Sequence, residues 1–327
     1  MVKAIGLLSG GLDSTLAVKI IIEQGIEVLA LHFVTPFCTC TKKGCQQAAN
    51  RVAAQLGVEV KVISVKDEFV RIVKNPRYGY GRNMNPCIDC RIFMFSRARE
   101  YMEATGAEFV FTGEVLGQRP MSQNLAAMRL IEQESGLMGR LLRPLSAHFF
   151  APTIPEQKGV VKRELLLALQ GRSRKPQITL WQKKQLYDYP CPAGGCRLTD
   201  PNFARRLKEA FGHGEDSIEA ITLLCYGRHF RLPGGAKLIV GRNESENNIL
   251  RPYGGNCRYT IIEPKNVPGP VALISSAASE SDLNLAAKIC LTYSDYQGSS
   301  PQPVVVNQTD EMLTIPLVRE KLKDFII

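Results

Sequence analysis

No apolar run in this sequence approaches the roughly 20 residues that a membrane-spanning helix needs. The sequence also lacks a basic region followed by an apolar stretch and a small-residue cleavage site, which is the pattern of a secretory leader. These two absences predict a protein that is neither anchored in a membrane nor secreted. We therefore expect it in the cytoplasm.

The composition is that of a globular chain with an uneven charge. The 327 residues are 45% hydrophobic and 22% charged, and a chain of this length is expected to form two domains. Lysine and arginine outnumber aspartate and glutamate by 10 to 5 in residues 51–100 and by 9 to 4 in residues 151–200, whereas residues 201–327 carry 14 of each. The two basic segments favour an anionic partner such as nucleic acid, with a solvated basic face as the alternative.

Short apolar runs alternate with helical patterns in the first part of the chain. Strands are expected over residues 4–8, 28–34, 58–65 and 108–112, and helices over residues 16–24, 46–56, 91–104 and 162–170. This alternation predicts an α/β fold with a doubly wound parallel sheet, in which ligands bind beyond the carboxyl ends of the strands. We expect a first domain over residues 1–190 and a second, smaller α/β domain over residues 191–327, because prolines and glycines interrupt the pattern near residue 190.

Residues 9–15 read Ser-Gly-Gly-Leu-Asp-Ser-Thr and follow the first predicted strand directly. Glycines between a strand and a helix let main-chain N–H groups approach an anion, and the helix N-terminus attracts the same anion. The P-loop pattern Gly-x-x-x-x-Gly-Lys-Ser/Thr is not met, because no lysine follows these glycines. The segment therefore predicts a phosphate-binding loop of another kind.

Most of the ten cysteines fall into three clusters: Cys38, Cys40 and Cys45; Cys87 and Cys90; and Cys191 and Cys196. Without a secretory leader, such clusters favour metal binding or thiol chemistry over a disulfide framework. The first cluster fits either a small zinc or iron site or ordinary loop cysteines. Cys87 and Cys90 precede a predicted helix, whose N-terminus is expected to lower the pKa of Cys90.

Residues 9–15 resemble the PP-loop of ATP pyrophosphatases, which hold ATP by its terminal phosphates and release pyrophosphate. Residues 112–118 read Thr-Gly-Glu-Val-Leu-Gly-Gln and are similar to the nucleotide-pocket segment Thr-Gly-Glu-x-Leu-Gly-Gln of 4-thiouridine synthetases. The resemblance implies an adenine nucleotide alpha hydrolase-like fold that binds ATP with Mg²⁺. The implied ATP contacts are Ser9, Gly10, Gly11, Leu12, Asp13, Ser14, Thr15, His32, Phe33, Gly113 and Gln118, and Asp13 is also implied to be catalytic.

Residues 85–90 read Asn-Pro-Cys-Ile-Asp-Cys and resemble the Asn-Pro-x-x-x-Cys segment of tRNA 2-thiouridylases, in which the cysteine accepts or delivers sulfur. Cys90 takes that position, and Cys87 stands where many such enzymes have aspartate. With Cys196 or Cys191 as the third thiolate, Cys87 and Cys90 could hold a [4Fe–4S] cluster, as in some tRNA thiolases. The competing interpretation is a persulfide on Cys90 that Cys196 resolves as a disulfide.

The implied activity is ATP-dependent tRNA thiolation by a tRNA sulfurtransferase. A base carbonyl, expected on uridine, is adenylated with release of pyrophosphate, and sulfur from a protein persulfide or from sulfide then displaces AMP. Two alternatives remain open: a PP-loop amidotransferase or synthetase that uses ammonia, and a non-catalytic RNA-binding protein with a vestigial loop.

Residues 231–243 resemble the NFACT-type RNA-binding domain, in which a Gly-Arg-Asn turn follows a strand. This resemblance implies that the second domain binds RNA, although its charges balance. The expected RNA contacts are Arg172, Arg174 and Lys175 in a basic loop of the first domain, and Arg231, Lys237 and Arg242 in the second.

Overall fold

A computed structural model describes residues 2–38, 45–186, 195–255 and 257–327, with only the backbone of residues 45 and 46. The chain divides into two units, Met1–Pro201 and Asn202–Ile327. The boundary expected after residue 190 stays a prediction, since residues 187–194 lie outside the described part. Within the described ranges, no helix is long and apolar enough to cross a membrane.

The first unit contains a five-stranded parallel sheet. Its strands are β1 (Lys3–Leu7), β2 (Glu27–Val34), β3 (Glu59–Ser64), β4 (Phe109–Thr112) and β5 (Leu141–Leu142), in the order β3-β2-β1-β4-β5. All neighbouring strands are parallel. The carboxyl ends of β1, β2 and β4 therefore meet at one edge of the sheet, as the sequence predicted.

Helices cover both faces of this sheet. They are α1 (Leu12–Ile22), α2 (Cys45–Leu56), α3 (Asp67–Lys74), α4 (Cys87–Thr105), α5 (Leu125–Glu134), α6 (Ile154–Gln157) and α7 (Lys175–Lys183). Successive strand residues point to opposite faces, so Phe109 and Phe111 pack in the cluster that contains α1, whereas Val110 packs with Phe95 and Met102 of α4. The predicted doubly wound α/β fold is thereby confirmed.

The helix predicted over residues 162–170 is wrong. Only the 3-10 turn Arg163–Leu165 forms there, and the following backbone N–H groups of Leu167, Leu169 and Gly171 donate to the carbonyls of Pro144, Leu145 and Leu116 at 2.7–2.9 Å. These donors are satisfied by other segments, so the chain does not need helical bonds here. Tertiary contacts thus override the apolar periodicity.

The second unit contains a six-stranded antiparallel sheet in the order β11-β10-β8-β9-β7-β6. Its strands are β6 (Arg228–Arg231), β7 (Lys237–Val240), β8 (Tyr259–Pro264), β9 (Ala272–Ser275), β10 (Gln302–Val306) and β11 (Asp310–Thr314). The helices are α8 (Pro201–Gly212), α9 (Ile218–Leu223), α10 (Glu244–Leu250) and α11 (Glu280–Thr292). Cys290 of α11 lies fully buried in this unit's core, while Cys225 is only partly buried.

Candidate active site

The glycine-rich loop joins β1 to α1. Gly10 has a positive φ of 77°, and a Cβ at this position would lie 2.8 Å from the main-chain N of Ala49, so only glycine fits. Gly11 is extended and precedes the first turn of α1. The hydroxyls of Ser14 and Thr15 both donate to the Gly11 carbonyl, at 3.0 and 2.9 Å. These bonds fix the loop in one conformation and leave its outer side open.

The end of β4 packs directly against the first turn of α1. A Cβ on Gly113 would lie 2.5 Å from the carbonyl group of Asp13 and from the main-chain N of Ser14. Beyond this contact, the Gln118 side-chain amide donates to Asp13 Oδ2 at 3.0 Å. The loop at residues 9–15 and the segment at residues 112–118, which the sequence analysis treated separately, are therefore in direct contact.

The Asp13 carboxyl group is held in a partly desolvated position. Burial raises its pKa, while the Gln118 hydrogen bond and the charges of Arg174 and Arg119 oppose that shift. Its second oxygen, Oδ1, is buried without a hydrogen-bond partner. A buried carboxylate oxygen with spare acceptor capacity is a suitable ligand for Mg²⁺, a role that the sequence analysis did not assign to Asp13.

A cavity of about 270 Å³ lies beyond the carboxyl ends of β1, β2 and β4. It collects most of the residues predicted from the two motifs and the cysteine pairs: Ser9, Gly11, Leu12, Asp13, Ser14, His32, Phe33, Cys87, Cys90, Gly113, Gln118, Arg174 and Cys196. Gly10 and Thr15 shape the loop from behind the cavity lining. Their expected contact with ATP stays a prediction.

His32 is buried at the end of β2 and lines the cavity. Its Nδ1 donates to the Leu8 carbonyl at 2.9 Å, because a carbonyl oxygen can only accept. Burial lowers the pKa of His32, which keeps the imidazole neutral near pH 7. Its Nε2 is therefore an unprotonated acceptor, buried without a partner in the described structure.

Three thiols line the same cavity. Cys87 and Cys90 lie in the first turn of α4, and Cys196 comes from the segment after residue 194. Burial raises the pKa of Cys90 to about 12 and that of Cys196 to about 11, and it also raises the pKa of Cys87. The neighbouring thiol of Cys38 adds to the shifts of Cys90 and Cys196. The expected lowering of the Cys90 pKa by the helix N-terminus is wrong, because desolvation outweighs it.

The three cavity thiols are the residues for which the sequence predicted an iron–sulfur cluster. Among the described residues, no three His, Cys, Asp or Glu side chains are arranged to hold one metal ion. A [4Fe–4S] cluster is larger and tolerates wider thiol spacing, and metal ligation removes the protons that burial otherwise retains. Cys87, Cys90 and Cys196 converge on one cavity and so suit this group. Cys40 and Cys191 lie outside the described residues, as does the side chain of Cys45.

Arg91 and Arg119 also line the cavity, together with the predicted Arg174. The charge of Arg91 lowers the pKa of Arg119, which shows how closely these cations are placed. Arg91 Nε lies 3.4 Å from Oε1 of the buried Glu114, which orients it. These three arginines bring positive charge to the cavity, where a P-loop protein would have its lysine. Sequence reasoning missed Arg91 and Arg119, although each directly follows a predicted site residue.

The second unit places its predicted RNA contacts in different environments. Lys237 is buried with its Nζ 2.5 Å from Glu209, and Arg231 Nε lies 2.6 Å from the same carboxylate. Arg231 also pairs with Glu215 at 2.7 Å, so two carboxylates balance the two cations, which favours a structural role over the predicted RNA contact. Arg242 is half exposed and paired with Glu246 at 2.5 Å.

A second cavity, of about 480 Å³, lies on this unit beside Arg242. Arg228, Arg251, Asn243, Asn247 and Tyr293 are among its lining residues. The Arg228 guanidinium stacks 4.4 Å from the centroid of the Tyr293 ring. An open cavity lined by arginine, asparagine and an aromatic ring offers the groups that bind RNA phosphates and bases.

Two family models match parts of the chain, one within each unit. Residues 2–148 match the family described as "Thiamine biosynthesis protein (ThiI)", and residues 227–326 match "NFACT protein RNA binding domain". The first unit thus contains a segment similar to the ThiI family, and the second unit one similar to the NFACT RNA-binding domain. Both resemblances drawn from the motifs are confirmed.

Curated relatives match part of the chain. A tRNA-specific 2-thiouridylase MnmA of Syntrophotalea carbinolica is 32% identical over 114 residues, and one of Clostridium botulinum is 34% identical over 119 residues. Each match covers 32% of this chain, and the chain spans about a third of the length of these relatives, 32% and 33%. A crystal structure titled as a 4-thiouridine synthetase–RNA complex with bound ATP has a TM-score of 0.37 at 24% identity, covering 67% of this chain and 53% of that one.

The contact between Gly113 and α1 generates a stability prediction. Gly113→Ala would force the first turn of α1 away from β4, and we expect the first unit to lose about 1–3 kcal/mol of unfolding free energy. Trp181, the single tryptophan, is buried in this unit, so urea titration followed by its fluorescence measures the loss. The control Met138→Ala, at an exposed side chain, should change the value by less than about 0.5 kcal/mol. Equal stabilities of the two variants would contradict the packing argument.

The raised thiol pKa values generate a reactivity prediction. In the reduced, metal-free protein at pH 7.5, iodoacetamide should alkylate Cys90 more than tenfold more slowly than the exposed Cys257, because the thiolate is the reacting species. The rate at Cys90 should keep rising as the pH approaches 11. Quenched digestion and mass spectrometry give the rate at each cysteine, and comparable rates at neutral pH would show that Cys90 is ionised there.

Proposed function

We propose that this protein thiolates tRNA in two steps that share one cavity. A uridine carbonyl oxygen first attacks the α-phosphate of ATP, and pyrophosphate leaves. Sulfur then takes the place of that oxygen, and the oxygen leaves as part of AMP. The observation that carries the proposal is the meeting of the phosphate-binding loop, Asp13 and three thiols on the same cavity.

The loop and the arginines support the ATP half. The loop between β1 and α1 presents main-chain N–H groups, and the start of α1 adds its partial positive charge. Arg91, Arg119 and Arg174 offset the charge of the triphosphate and the developing charge of pyrophosphate. Mg²⁺ bound by Asp13 would neutralise further phosphate charge. His32 and Phe33, which the resemblance implies as ATP contacts, line the same cavity and are suited to contact the adenine.

The thiols support the sulfur half and favour it over ammonia transfer. Amide-forming enzymes with a PP-loop need no cysteines, whereas three line this cavity. A bound [4Fe–4S] cluster would supply an iron site for the incoming sulfur. Cys87, Cys90 and Cys196 would be its ligands. The presence of three thiols on one cavity favours this role over the persulfide mechanism, which uses only Cys90 and Cys196.

The partner is proposed to be tRNA, with the target base unstacked so that it reaches the cavity. The NFACT-type match supports RNA binding by the second unit. Arg172 and Lys175 are exposed on either side of the cavity residue Arg174, so they are suited to contact the tRNA backbone. We place the reaction in the cytoplasm, with sulfide as the sulfur source, or a protein persulfide whose outer sulfur a dithiol reduces to sulfide.

Separating the two half-reactions tests this function. With unmodified bulk tRNA, ATP and sulfide under anaerobic conditions, wild type should release pyrophosphate and form a thionucleoside. Asp13→Asn should lose both products. Cys90→Ser should still release pyrophosphate but form less than a hundredth of the thionucleoside, while the control Cys257→Ser matches wild type.

Two other outcomes would favour the alternative functions, which are ammonia transfer and RNA binding without catalysis. Full product formation by Cys90→Ser would contradict sulfur transfer through this site and favour ammonia chemistry. No tRNA-dependent pyrophosphate release from wild type would indicate a vestigial loop.

The second cavity generates a binding prediction. Removing the stacked cation with Arg228→Ala should weaken tRNA binding by the full chain about tenfold, since stacking and phosphate contacts each contribute about 1–3 kcal/mol. Lys265→Ala, which removes an exposed lysine paired with Glu311, is the matched control and should bind as wild type. Fluorescence anisotropy with labelled tRNA at fixed salt gives both affinities. Equal loss in the two variants would indicate only a general effect of positive charge.

A further inference from the structure

Cys38 and Cys196 face each other across a short antiparallel pairing in the first unit. They are the opposite partners of an isolated β-bridge, and beside them the Arg197 N–H donates to the Phe37 carbonyl at 2.9 Å. Opposite residues of an antiparallel pair have Cα atoms about 4.5–5.5 Å apart and point to the same side. A disulfide spans Cα separations of about 4.4–6.8 Å. The backbone therefore sets these cysteines at a disulfide-forming distance.

Hydrogen bonds hold both cysteines in this register. Arg197 Nε donates to the Cys38 carbonyl at 3.2 Å, and the Thr199 hydroxyl donates to the Cys196 carbonyl at 2.7 Å. The Thr35 hydroxyl lies 3.4 Å from Cys38 Sγ. A fixed register lowers the entropy that bond formation would otherwise cost. The pairing thus brings a thiol from the first cysteine cluster to the site of the second and third.

We propose that Cys38 is a fourth functional thiol of this site and forms a reversible cross-strand disulfide with Cys196. Its importance rests on the proposed function, in which Cys196 serves sulfur transfer. The oxidant is a small-molecule disulfide of the glutathione class. The Cys38 thiolate attacks it, forming a mixed disulfide and releasing one thiolate. The Cys196 thiol then gives up its proton, attacks Cys38 Sγ and expels the second thiolate, which takes up a proton.

The electron balance of this exchange is closed. The two cysteines lose two protons and two electrons, which convert the small disulfide into two thiols, and a dithiol reverses the reaction. While the bond exists, Cys196 cannot ligate metal or accept sulfur. The disulfide therefore keeps the site inactive until it is reduced. Cys87 and Cys90 do not change in this process.

Peptide mapping of the full chain tests the pairing. The reduced protein is equilibrated anaerobically with oxidised glutathione, quenched with N-ethylmaleimide, digested and analysed by mass spectrometry. The Cys38–Cys196 peptide should be the main cross-link in wild type and in the control Cys257→Ser. It should be absent from Cys38→Ser and Cys196→Ser, and reduction should restore both free thiols. Thermal melting shows whether each variant is folded.

Several results would overturn the pairing. One such result is a dominant cross-link from Cys196 to Cys90, Cys87, Cys40 or Cys191. Another is that Cys38 and Cys196 both remain free while a different pair of cysteines oxidises. The readout needs neither tRNA nor turnover. A protein that forms this disulfide but makes no thionucleoside would contradict the proposed function alone, and the reverse result would contradict the disulfide alone.

Discussion

The candidate site depends on the close approach of β4 to the first turn of α1. Gly113 touches the backbone of Asp13 and Ser14 so closely that a methyl group has no room. This contact places Gln118 on the Asp13 carboxylate and brings the segment after β4 to the phosphate-binding loop. Since Arg119 follows Gln118, the same contact delivers positive charge to the cavity. A shift of β4 by a few ångströms would separate all of these groups.

Desolvation sets the chemistry of the thiols. Cys90 and Cys196 would have to lose a proton in a poorly hydrated cavity where neighbouring thiols disfavour a second charge. A bare site of this kind holds protonated, weakly nucleophilic cysteines. Binding of a metal cluster would offset the free energy needed to ionise these thiols. Cluster binding would therefore release protons. In the proposed function, the arginines would compensate the charge of both ATP and the thiolates.

The local parts of the site were predictable from the sequence. The loop at residues 9–15 and the segment at residues 112–118 are continuous motifs, and the alternating apolar runs indicated the parallel sheet that joins them. Cys87 and Cys90 were predictable for the same reason, because they occupy one helical turn. The raised pKa of Cys90 was not predictable from the sequence, because it results from burial by distant segments.

The remaining features depend on tertiary contacts that no local pattern encodes. Cys38 meets Cys196 only because two segments far apart in the sequence pair side by side. Lys237 and Arg231 resembled RNA contacts, yet both pair with Glu209 of α8 in the second unit, and Arg231 also pairs with Glu215. The apolar pattern of residues 162–170 resembled a helix until other segments took up its backbone donors.

The central claim is that one cavity activates a tRNA base with ATP and then thiolates it. The most direct measurement is the mass-spectrometric nucleoside profile of tRNA from a strain that lacks this gene. The account predicts that one thionucleoside disappears, returns with the wild-type gene, and does not return with a Cys196→Ser copy. An unchanged profile, or full rescue by Cys196→Ser, would contradict it.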